Sequence, residues 1–159
     1  MSSPVLYVFE SSLHRHPGES LTPDGSHTDA WGTWPTVTVP HELLAVPLAI
    51  SFDEAIDHLS QLERMYAEPD GSFVWVSARE GLSWQVDGNV FDRDGRVVLV
   101  DMKGSCPPEE FDRLLACFGW PGEPVLFQLV RPAVFLEESV FRRHAEARGV
   151  ILPGQDMRP

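Results

Sequence analysis

The sequence predicts an α+β domain whose centre runs helix, strand, strand, strand, helix, strand. Three observations carry this. A capped amphipathic stretch starts at Phe52. Two apolar runs flank a turn at Asp92–Gly95. A second amphipathic stretch after Pro108 leads into the nearly all-apolar "PVLFQLV" of residues 124–130. At 159 residues and 43% hydrophobic composition the chain has the size and the apolar content of one domain with a real core. The expected organisation is a single α+β domain over 1–152, with a loop-rich arm at 12–36 and a flexible tail at 153–159.

The elements follow in order. "VLYVFES" (residues 5–11) reads as an N-terminal strand. Glycines, prolines and polar residues then punctuate residues 12–36. Thr36–Val39 reads as a short strand, and Pro47 prevents "HELLAVPLAI" from forming one helix. Ser51 is an N-cap with Glu54 three residues on, and Ala55, Ile56, Leu59, Leu62 and Tyr66 trace one helical face until "EPDG" ends it. "SFVWVSA" is a strand. Pro108, Glu109 and Glu110 suit the first turn of a helix whose buried stripe is Phe111, Leu114, Leu115 and Phe118. Residues 124–130 read as a strand covered on both faces. Residues 137–149 form a last helix stopped by Gly149.

The hairpin of residues 84–106 carries the chemistry. Asp92-Arg-Asp-Gly95 has the composition of a three-residue hairpin loop. That loop pairs Asp92 with Arg96, Asp87 with Asp101, and Gln85 with Lys103. Alternation then places Trp84, Val86, Val90, Val98, Val100 and Met102 on one side. The other side holds Phe91, Val97 and Leu99, with Gln85, Asp87, Asp101 and Lys103 at the far end. Opposed carboxylates repel, and a divalent cation or Lys103, the only lysine, relieves the repulsion. Two Asp ligands suit Mg²⁺ or Mn²⁺, and a metal-bound water near a lysine is a hydrolytic centre.

"VDG" at 86–88 and "DMK" at 101–103, on this order of elements, resemble the PD-(D/E)xK restriction-endonuclease-like superfamily over residues 52–130. The resemblance implies a mixed sheet and a metal-dependent phosphodiester hydrolase acting on nucleic acid. Asp87 and Asp101 would hold the metal, and Lys103 would orient or activate the attacking water. Asp92 is a rival for the first acid. Glu63 is a candidate further ligand from the first helix; Glu54 is a weaker one because the capping box uses it. Gln85, Arg79, Arg113 and Arg131 are the residues expected to line a substrate cleft.

Charge supports a different class. With 24 acidic and 12 basic residues the formal charge is −12, which repels a phosphate backbone and suits a basic protein partner. The alternative expectation is therefore a non-enzymatic acidic interaction protein, of the inhibitor or immunity type. Walker, dinucleotide and nucleophile-elbow patterns are absent from the sequence. Met1–Pro4 has no basic residues and "VLYVF" is short, so no secretory leader is expected, and no apolar run approaches the ~20 residues of a membrane span. Cys106 and Cys117 flank a predicted helix, too far apart to bridge, so a cytoplasmic location and no membrane are expected. Cys106 lies at that helix's N-terminus, where a thiolate is favoured. His14, His16 and His27 have metal-ligand chemistry, but in a loop-like segment they read as exposed loop histidines. Trp31 and Trp34 are expected to fold back onto the core.

Overall fold

The computed structural model describes residues 5–18 and 21–150; the tail expected at 153–159 lies outside them. Its main feature is a seven-stranded sheet. In chain order the strands are β1 (Tyr7–Arg15), β4 (Met65–Ala67), β5 (Ser72–Val76), β6 (Gln85–Arg93), β7 (Arg96–Cys106), β8 (Val125–Leu129) and β9 (Val134–Glu137). A separate hairpin pairs β2 (Gly25–Asp29) with β3 (Gly32–Thr36). The helices are α1 (His41–Leu44), α2 (Phe52–Ser60), α3 (Pro108–Ala116) and α4 (Glu138–Arg148).

The chain order α2, β5, β6, β7, α3, β8 matches the expected centre, with the short strand β4 added. The sheet itself differs from the mixed one expected. Its order is β4-β5-β6-β7-β1-β8-β9, and every pairing is antiparallel. The reason is β1. The α3 crossover returns the chain parallel to β7, but β1 lies between β7 and β8 and runs antiparallel to both.

Strand parity divides the sheet into two faces. Tyr7, Phe9 and Leu13 of β1, Val100 and Met102 of β7, and Phe127 of β8 are buried in one core with α2, α3 and α4. Phe141 of α4 stacks on Phe127 at 4.0 Å between ring centroids and lies 5.9 Å from Phe111 of α3. Each buried ring removes enough apolar surface to contribute roughly 1.5–3 kcal/mol, and favourable ring pairs add about 0.5–1.5 kcal/mol. Arg142 closes this layer: its guanidinium lies over the rings of Phe111 and Trp120 and pairs with Asp112 and Glu138. β8 is covered on both faces, as its sequence implies. Phe127 belongs to the main core, while Leu126 packs opposite with Val37, Val39, Leu43, Leu44 and Phe135.

Several local expectations are revised. The arm is shorter than residues 12–36: β1 continues to Arg15, and β2–β3 fill residues 25–36. The helix from Phe52 is capped by Ser51, whose Oγ accepts from the Glu54 backbone N–H. It ends at Ser60, and Arg64 takes a positive φ of 58° before β4, so Tyr66 stands exposed on a strand. The β6–β7 turn is Asp94-Gly95, both with positive φ (54° and 83°), a two-residue turn of the type such Asp-Gly pairs favour. Val98 is a bulge residue: Phe91 pairs with Leu99 while Asp92 pairs with Val97. The bulge reverses two expected positions, so Val97 is buried in the core and Val98 is only partly covered.

Gly104 shows how closely β6 and β7 fit. Its φ is +140°, and a Cβ there would lie 2.0 Å from the carbonyl oxygen of Gln85. Gly104→Ala is expected to destabilise the fold by about 2 kcal/mol or more through backbone strain and collision. For a chain of this size about 2 kcal/mol lowers Tm by roughly 4–8 °C in a thermal melt.

Candidate functional site

On the face away from α2, α3 and α4 the sheet is open over β5, β6 and β7; on β1 Glu10 is partly covered and Ser12 and His14 are buried. The segment carrying Val37, Val39, Leu43 and Leu44 covers only the β8–β9 end. Cross-strand pairing arranges the open side chains in lateral rows. One row runs Tyr66, Val74, Asp87, Lys103, Glu10. The next runs Ser72, Asn89, Asp101, Ser12, Gln128, Phe135. A third joins Phe91 to Leu99 and His14 to Leu126.

Asp87, Asp101 and Lys103 therefore share one exposed face, but the opposition differs from the sequence expectation. Asp87 faces Lys103, not Asp101; Asp101 faces Asn89 on one side and Ser12 on the other. The cause is the Asp94-Gly95 turn with its bulge, which shifts the register by two residues and preserves parity. Lys103 stands between two directly opposed acids, Asp87 and Glu10. Gln85 donates from Nε2 to Asp87 Oδ1 at 2.9 Å.

The other candidates are not gathered there. Asp92 Oδ2 accepts from the Gly95 N–H at 3.1 Å and so holds the turn. Glu63 follows α2 and contacts Arg64. Arg113 lies on α3, across the sheet from the open face, where it pairs with Glu110. Arg79 is exposed in the β5–β6 loop, and Arg131 is exposed beyond β8. Among the described residues no three His, Cys, Asp or Glu side chains form a group able to hold a metal ion. No described helix is long and apolar enough to cross a membrane.

The histidines of the expected arm are not exposed loop residues. His14 is buried on β1, and its Nε2 lies 2.8 Å from Ser12 Oγ. Burial lowers its pKa, keeping the ring neutral. His16 pairs with Glu137 at 3.1 Å. Sequence reasoning missed the Ser12–His14 pair because it ended the strand at Ser11; the signal available was the alternation of Phe9, Ser11 and Leu13 against Glu10, Ser12 and His14.

A second polar cluster fastens the β2–β3 hairpin to α4. Asp29 Oδ1 accepts from Trp34 Nε1 at 3.1 Å and from the Trp31 N–H at 2.9 Å, and Asp29 Oδ2 lies 2.8 Å from His144 Nε2. Trp34 is buried as expected, while Trp31 stays 45% exposed with Arg148 over its ring. Burial lowers the His144 pKa against the opposing pull of Asp29. Asp29 is lowered overall: burial opposes ionisation, and the bonds from Trp34 and His144 outweigh it. A neutral imidazole N–H donating to a carboxylate satisfies both directions. The two cysteines are buried and unbridged. Burial pushes the Cys117 thiol up to about 12. It raises Cys106 as well, with nearby Glu110 adding to the rise, so the helix N-terminus does not activate that thiol.

Folded His14 and His144 both titrate below the ordinary histidine range, so the unfolded chain binds protons more readily there. Their stability contribution is complete above about pH 6.5 and is lost as pH falls below it. Urea midpoints are expected to drop between pH 7.5 and pH 5.5. His144→Gln, whose amide can still donate to Asp29, should flatten that drop; an unchanged slope would refute the assignment.

Comparison with protein-family models, with curated proteins and with solved structures found no match for this chain.

Proposed function

We propose that this protein is a non-enzymatic, acidic interaction module that engages a basic protein through the open half-face of its sheet. One observation carries the reading. The large apolar side chains Tyr66, Val74, Phe91 and Val130 are all exposed around this face, among Glu10, Asp87 and Asp101. A solvated antiparallel face is ordinarily polar. Exposed aromatic and aliphatic groups ringed by charge have the make-up of a protein-binding surface. The formal charge of −12 then steers a basic partner and repels nucleic acid.

Affinity capture at low and high salt tests this. Captured proteins should be basic and should be released at about 0.5 M salt, where charges are screened within a few ångströms. Charge reversal on the open face (Glu10→Lys with Asp87→Lys) should abolish capture, and Glu109→Lys on α3 should leave it intact. Capture indifferent to the open-face reversal would overturn the reading.

A second reading keeps the metal-dependent phosphodiester hydrolase on a restriction-endonuclease-like core. It is favoured by the direct opposition of Asp87 and Lys103, with Asp101 two residues before the lysine on the same face. Asp87 and Asp101 would hold Mg²⁺ or Mn²⁺, and Lys103 would orient the attacking water. On this reading Mn²⁺-dependent cleavage of DNA or RNA is expected, lost in both Asp101→Ala and Lys103→Ala. Absence of cleavage by the parent, or cleavage surviving either substitution, counts against it.

A further inference from the structure

The open face is not flat. Between the rows lies a shallow recess of about 310 Å³, lined by Ser12, His14, Phe91, Leu99, Asp101, Gln128 and Val130. We propose that this recess receives one arginine side chain of the basic protein partner; the inference rests on the interaction-module reading and names what the partner inserts.

Four features select that occupant. The first is size: the volume is at the lower end of the range of small-molecule sites, which suits one long side chain. The second is the lining. Phe91, Leu99 and Val130 offer apolar contact to the faces of a planar guanidinium and to its methylene stem. The third is the polar rim. The Asp101 carboxylate, the Ser12 hydroxyl and the Gln128 amide oxygen, 3.5 Å from Ser12 Oγ, all accept hydrogen bonds.

The fourth is a carboxylate without a protein partner. Partial burial raises the Asp101 carboxyl above its ordinary range although the residue stays exposed, and among the described residues no cation or hydrogen-bond donor offsets that effect. Lys103 is one row away, set between Asp87 and Glu10. Beneath, His14 is more than nine-tenths buried, and its Nδ1 has no hydrogen-bond partner. Burial keeps the ring neutral, so it does not repel a cation. An arriving guanidinium would supply Asp101 with the partner it lacks, with charge-assisted bonds in a fork geometry.

Lysine fits less well. Its compact ammonium is strongly hydrated and cannot lay a flat face against Phe91. The recess is therefore expected to prefer arginine.

The test is an NMR titration of the ¹⁵N-labelled chain with N-acetyl-arginine-amide and, separately, N-acetyl-lysine-amide. Saturable shifts are expected at the amides of Ser12, Leu99, Asp101 and Gln128, with the lysine compound weaker by about threefold or more. Asp101→Asn, which keeps the shape, should abolish saturation, whereas Asp87→Asn should leave it. Urea midpoints of both variants confirm that they fold. No localised saturation, equal binding of the lysine compound, or binding unchanged in Asp101→Asn would overturn the inference. The capture experiment separates the two levels. Basic proteins still captured by Asp101→Asn at parental strength would sink the arginine recess and leave the module reading standing. No salt-sensitive capture by the parent would sink both.

Discussion

The placement of β1 is the constraint on which the rest of the structure depends. This strand pairs along one edge with β7 and along the other with β8, so it is the hub of a sheet whose remaining strands extend from it in both directions. Its side chains serve both layers at once. Phe9 and Leu13 anchor the aromatic core under α3 and α4, while Glu10, Ser12 and His14 point to the other face, the last two buried at the border of its open part. A slip of one residue would send Phe9 and Leu13 to solvent and bury Glu10. The apolar half of the strand therefore fixes the register of the polar half. The open-face geometry is held by core packing on the other side of the same backbone.

The remaining asymmetry between the faces follows from how the chain is used up. Three amphipathic helices carry buried residues into the core on one side: Ala55 and Leu59, Phe111 and Leu114, Val140 and Phe141. On the other side, among the described residues, the connection after β3 with its short α1 does the covering. Val37 bridges to Phe135, and the next residues cover Leu126. The chain then returns to the hairpin end, where Leu48 and Ile50 bond to Val97 and Ser51 bridges to Arg96. Among the described residues no further helix packs on the β5–β6–β7 half, where Val74, Asp87, Phe91, Asp101 and Lys103 are exposed, while Ser12 and His14 of β1 are buried.

Much of this was legible in the sequence, and the limits have physical causes. Ser51 and Glu54, Pro108 with the Phe111–Leu115 stripe, and the apolar residues 124–130 declared their elements because capping and periodicity are local signals. The face shared by Asp87, Asp101 and Lys103 was legible too, because a register shift of two leaves parity unchanged. Their partners were not. "DRDG" fits a three-residue loop, whereas the chain closes on Asp94-Gly95 and recovers its alternation through a bulge at Val98. The place of β1 was hidden because pairing across roughly ninety residues leaves no local mark. The β2–β3 hairpin was hidden as well: "GSHTD" has no apolar alternation, and what holds it is Asp29 receiving the Trp34 indole and the His144 ring.

The single lysine gains its meaning from these rows. Three carboxylates on one sheet face would destabilise it if they opposed one another directly. Lys103 stands between Asp87 and Glu10, so the row with two acids contains the one cation, and like charges are not directly opposed there. Asp101 is flanked instead by neutral Asn89 and Ser12. The arrangement gives two adjacent rows different electrostatic characters. One row sets a lysine directly opposite two acids with no salt bridge closed among the described residues, so their attraction has the modest strength of solvent-screened charges. The other holds an exposed carboxylate that has no counterion among the described residues, beside the shallow recess to which Phe91, Leu99 and Val130 contribute the apolar wall.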